Sequence, residues 1–99
     1  MKIKDIKNRL QIKILGKPYK ITWYDDDSPA DDGRIGYTDT RVGRMYIHGT
    51  MTGEQSFETI IHEVVHVLNL GLDIDLNESD INRISTGITA FLLDNEFVG

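Results

Sequence analysis

Residues 52–71 read Thr-Gly-Glu-Gln-Ser-Phe-Glu-Thr-Ile-Ile-His-Glu-Val-Val-His-Val-Leu-Asn-Leu-Gly. Thr52 followed three residues later by Gln55 has the form of a capping box, in which each side chain satisfies an orphan N–H of the other's backbone. Behind it Phe57, Ile60, Ile61, Val64, Val65 and Leu68 recur at i, i+3, i+4, i+7, i+8 and i+11. That period puts them on one face of a helix over about 53–70, and Gly71 is a natural stop.

The elements on either side follow from this helix. Leu72–Leu76 (LDIDL) alternates over too short a run to be more than a connector. Asn77 is a good N-cap for a last helix over 77–94, with Glu78 and Asp80 in its first turn, where the helix dipole favours acids. Ile81, Ile84, Ile88, Phe91 and Leu92 form its apolar stripe. Upstream, Leu10–Leu15 and Tyr19–Tyr24 alternate as half-buried strands around a turn signal at Gly16-Lys17-Pro18, which predicts an antiparallel hairpin. Arg34–Tyr37 and Arg44–His48 read as a second hairpin or as consecutive strands. Residues 1–9 alternate only weakly and are expected to be extended or frayed. Asp25–Gly33 (DDDSPADDG) is a loop; it lacks the glycine and the closing glutamate of a calcium-binding helix-loop-helix loop. The expectation is a single α+β domain over 1–99: a small N-terminal antiparallel sheet of three to four strands within residues 10–48, then two packed helices.

Composition narrows the function. The chain has 99 residues, 39% of them hydrophobic and 27% charged, which suits one compact soluble domain. The longest apolar run is Ala90–Leu93, far short of the ~20 residues of a membrane span. No apolar stretch follows the lysine-rich start, so no secretion signal is expected and the cytoplasm is the expected location. The absence of cysteine excludes disulfides and thiolate metal sites, and any metal must be held by His, Asp or Glu. Residues 1–20 carry seven of the eleven Lys and Arg, whereas residues from Gly53 onward carry nine acids and only Arg83 as a base. The acidic half disfavours nucleic acid as a partner. The basic start leaves a regulator that binds protein or nucleic acid as one alternative function.

Inside the first helix stands His62-Glu63-Val64-Val65-His66, an H-E-x-x-H pattern. Residues four apart sit one turn above each other on a single helical face, so both imidazoles can grip one ion. Glu63 points about 100° away around the helix. It is poorly placed as a ligand but well placed to take a proton from water at an open coordination position. The two histidines lie beyond the edge of the apolar stripe, on the Val65 side, so another element must cover them; the last helix is the expected one. A catalytic site needs a third protein ligand. Asn69 and Leu72 occupy the positions of the glycine and third histidine of the longer metzincin pattern, which excludes that class. The third ligand is therefore Glu78, Asp80 or His48. Glu78 has the longer reach, yet periodicity alone does not separate it from Asp80. Tyr37, Tyr46, His48 and Arg44 are candidate donors to a reacting oxyanion, and strand 44–48 is a candidate edge for substrate. Asn82, one turn after Glu78, could steady it.

The order of strands, capped H-E-x-x-H helix and second helix opening with an acid resembles the minimal zincin-type metallopeptidases. It is closest to the small phage-encoded proteins related to the ImmA/IrrE group. In that group the third ligand is a glutamate in a pattern like E-x-x-A-N, and Glu78-Ser79-Asp80-Ile81-Asn82 matches it as E-x-x-I-N. The resemblance covers about residues 34–94 and implies His62, His66 and Glu78 as ligands of Zn²⁺, or of Mn, Co, Fe or Ni, which the same donors accept. It implies Glu63 as the general base of metal-activated water and a peptide or protein as substrate. The alternative is a non-catalytic metal-binding or protein-interaction module, in which the ion only ties two helices together.

Overall fold

The computed structural model describes residues 2–25 and 35–99. Apart from Asp25, the expected aspartate-rich loop lies outside the described residues, as does Arg34. Four strands, β1 (Gln11–Ile14), β2 (Lys17–Tyr24), β3 (Gly36–Asp39) and β4 (Arg44–His48), precede two helices, α1 (Gly53–Gly71) and α2 (Glu78–Asp94). The α+β architecture is the one the sequence predicts. None of the described helices is long and apolar enough to cross a membrane.

The sheet departs from expectation. Its order is β1-β2-β4-β3. Both hairpins, β1–β2 and β3–β4, are antiparallel, but β2 and β4 run parallel, with Ile21 beside Met45 and Trp23 beside Ile47. The sheet is therefore mixed rather than antiparallel. The reason is burial. β4 carries Met45 and Ile47, both fully buried, and takes an interior position, whereas β3 offers Gly36, Tyr37, Thr38 and Asp39 and stays at the edge. Strand 44–48 accordingly has no free edge for a ligand.

The first hairpin turns at Leu15-Gly16, where both residues have positive φ, 52° and 81°. This two-residue turn has a twist that matches the strands it joins, and it frees Lys17 and Pro18 to open β2. The first residues also differ from the reading. Ile3–Asn8 forms a 3₁₀ helix that buries Ile6. With about three residues per turn, Ile3 and Ile6 fall on one side.

Among the described residues, the main core lies on one face of the sheet. Ile14, Tyr19, Ile21, Met45 and Ile47 meet Phe57, Ile60 and Val67 of α1, with Ile6 alongside. Thr52 and Gln55 close the predicted capping box. α1 is buried more broadly than one stripe, since Ser56, Thr59, Glu63 and Val67 are buried as well. It lies between the sheet, the 3₁₀ helix and α2.

α2 is rotated relative to the reading. Of its expected stripe only Ile81 is buried; Ile84, Ile88 and Phe91 are exposed and Leu92 is half-buried. Ser85 and Thr89 are buried instead, their hydroxyls donating to the carbonyls of Ile81 and Ser85 one turn back. Small residues with internally satisfied hydroxyls bring α2 close to α1. The connector sets its height: Asn69 of α1 accepts from Leu76 N at 2.8 Å and donates to Leu76 O. Asp73 and Asp75 take the left-handed conformation, which aspartate tolerates better than most residues.

Candidate metal centre

His62 and His66 project from the flank of α1 that faces the start of α2. Their Nε2 atoms stand 3.1 Å apart. The Glu78 carboxylate closes the triangle, with Oε1 3.0 Å from His62 Nε2 and Oε2 3.2 Å from His66 Nε2. Glu78 reaches them because it is the first residue of α2, positioned by the Asn77 cap and the Asn69 clamp. Three lone-pair donors converging in this way match what a cation requires. Tetrahedral bonds of about 2.0–2.1 Å place donor atoms roughly 3.3 Å apart.

The other candidates for third ligand are accounted for. The Asp80 carboxylate accepts from Asn77 N, completing the second capping box, and from Arg83 at 2.8 Å. It serves the cap rather than the cluster. His48 lies on the opposite face of the sheet from Met45 and Ile47, its ring edge-on to Tyr24 and its Nδ1 against Thr50. Tyr46 and Arg44 share that far face by strand alternation. Tyr37 lies beside the cleft, but its ring pairs with Tyr46 at 6.0 Å. His48, Tyr46 and Arg44 therefore project from the face of the sheet away from the cluster. Asn82 lines the cleft and makes no hydrogen bond to Glu78 among the described residues.

Glu63 stands next to the triangle. His62, Glu63 and His66 offer ligand atoms that all lie within 4.8 Å of one another, so this cluster could hold a metal ion. Glu78 approaches both imidazoles more closely, and Glu63 has another partner. It is 7% exposed, and its Oε1 accepts a 2.7 Å hydrogen bond from the Thr38 hydroxyl on β3. Gly36, two residues earlier on the same face, makes room for it. A Cβ at Gly36 would lie 2.7 Å from Thr59 Cγ2 and 3.4 Å from both Cγ and Oε2 of Glu63.

The cluster opens into a cleft between β3, α1 and the start of α2. Glu58, Glu63, Asp73, Asp75 and Glu78 line it, with no lysine or arginine among the described residues. That field favours a cation. No protein-family model matches the chain, and comparison with curated proteins and with solved structures finds no match. Sequence reasoning did not find Gly36, Thr38 or Asn69. Each acts across a distance in the chain, and none carries a local spacing that announces it.

Proposed function

We propose that this protein is a zinc-dependent metallopeptidase of the minimal zincin type, akin to the ImmA/IrrE group, with His62, His66 and Glu78 as ligands and Glu63 as general base. The observation that carries the reading is the meeting of two imidazole nitrogens and one carboxylate at 3.0–3.2 Å beside a buried, hydrogen-bonded glutamate. Two nitrogens and a carboxylate suit zinc, although other divalent transition metals accept the same set. When bound, the ion supplies a Lewis acid that lowers the pKa of water toward ~7 and polarises a peptide carbonyl.

The chain's own residues do the rest. The Thr38 hydroxyl fixes Glu63 through Oε1 and leaves Oε2 to take a proton from the attacking water. As the water oxygen bonds to the carbonyl carbon and the C–N bond breaks, Glu63 delivers that proton to the departing amine nitrogen. Peptide docks along β3, the edge that borders the cleft. Ile35 O is bonded to His48 N, so by the alternation of an antiparallel ladder the backbone N–H and C=O groups of Gly36 and Thr38 point away from β4, the side on which an extended substrate would pair.

Elemental analysis and a peptide library test this reading together. Native protein is expected to hold one equivalent of zinc, and Glu78→Ala to lose it. Glu63→Gln should keep the metal while cleavage falls by at least about 100-fold. Full zinc occupancy in Glu78→Ala, or undiminished cleavage by Glu63→Gln, refutes it. A native protein that binds zinc and cleaves nothing is instead the non-catalytic module.

A further inference from the structure

We infer that the flank of α2 formed by Ile84, Gly87, Ile88 and Phe91 is the contact surface of a symmetric homodimer, in which α2 packs antiparallel against α2 of a second copy. These residues recur at i, i+3, i+4 and i+7, the spacing of a helix–helix seam. Within the chain the seam is left open. Ile84, Ile88 and Phe91 are exposed, and α2 docks on α1 through the neighbouring flank of Ile81, Ser85 and Thr89. Phe97 extends the strip, its ring 5.6 Å from that of Phe91 and 63% exposed.

Gly87 gives the seam its centre. A glycine in the middle of a helix weakens it. Among the described residues nothing requires one there, since a Cβ at Gly87 meets no atom within 4 Å. Close approach by another helix does require it. A two-fold axis between Gly87 and Ile88 seats Ile88 of each copy over Gly87 of the other and sets Ile84 against Phe91. The seam is therefore complementary to itself when reversed.

Charge selects the same arrangement. Arg83 is the only lysine or arginine from Gly53 onward; its guanidinium bonds Asp80 within α2 yet is 75% exposed, with donors left for a second carboxylate. It lies on one flank of the seam, and Asp94 lies on that same flank three turns later. In an antiparallel two-fold pair like flanks face each other, so Arg83 of one copy comes beside Asp94 of the other, twice over. The opposed helix dipoles also align favourably. A parallel pair would make neither contact. Glu78, Asn82 and Thr86 line the metal cleft from another side of α2, so pairing leaves the cleft open and the inference does not depend on the peptidase reading.

Sedimentation equilibrium on the full chain between about 1 and 200 µM tests it. The expected result is a monomer–dimer equilibrium with a limiting mass twice 11.3 kDa. Ile88→Glu and Gly87→Leu should each weaken association at least about tenfold with unchanged far-ultraviolet circular dichroism. Should either variant unfold, a charge exchange carries the test alone. Arg83→Asp should weaken the dimer, and adding Asp94→Arg should restore it. A single species near 11.3 kDa at every concentration overturns the inference. So does a dimer indifferent to the seam variants, or a charge exchange that recovers nothing.

Discussion

Replacing Thr38 by valine isolates the link between the sheet and Glu63. The side chains are nearly the same shape, so the change exchanges one hydroxyl for a methyl group and leaves packing almost intact. What is lost is the 2.7 Å bond to Glu63 Oε1, made to a carboxylate that is 7% exposed. A hydrogen bond to a charged group contributes about 1.5–3 kcal/mol, and a buried carboxylate deprived of its partner keeps the desolvation cost. For a domain of this size each kcal/mol moves the midpoint by roughly 4–8 °C, so Thr38→Val should melt about 6–24 °C below the native protein. Thr38→Ser keeps the donor and should recover most of the loss. Urea unfolding of Thr38→Val, Glu63→Gln and the double variant closes a thermodynamic cycle. A coupling of at least ~1 kcal/mol is expected. Thr38→Val within about 0.5 kcal/mol of native, or additive single changes, would show that the hydroxyl does not hold the glutamate.

Gly36→Ala should destabilise by about 1–3 kcal/mol, because the new methyl group meets Thr59 Cγ2 at 2.7 Å and β3 must move off α1; chemical denaturation measures this. Leu15→Asn should stabilise by roughly 0.5–1 kcal/mol, since asparagine adopts the left-handed conformation of this turn more readily than leucine; a rise in melting temperature is the readout. Asn69→Ala removes the clamp on Leu76 and should cost about 1–2 kcal/mol. The same change should lower zinc affinity in a competitive chelator titration, because Glu78 is then less well positioned.

What the sequence revealed divides according to distance along the chain. The first capping box, the Asn77 cap, both helices and the four-residue spacing of His62 and His66 are local, and local rules read them; that Asp80 completes a second box was not read. Glu78 stood out as an acid opening the next helix, but preferring it to Asp80 needed the E-x-x-I-N resemblance; in the structure Asp80 is held by Asn77 and Arg83. The placement of β4 beside β2 was not legible, because alternation tells which face of a strand is buried but not which neighbour it takes. The α2 stripe misled for a related reason. Counting apolar residues finds a face that prefers to be covered, yet α1 lies against the adjacent flank, where Ser85 and Thr89 permit closer approach. The Leu15-Gly16 turn was misplaced because leucine gives no turn signal and Pro18 gives a strong one.

The three side chains that would grasp the ion all belong to a single helical hairpin, whereas the hydroxyl that disciplines Glu63 comes from the sheet. The ligand set and the hydrogen bond that holds Glu63 thus come from separate stretches of chain. On the proposed function, a lineage could loosen the general base through one substitution at residue 38 and keep the three ligands, turning a peptidase into a metal-stapled adaptor without redesigning the hairpin.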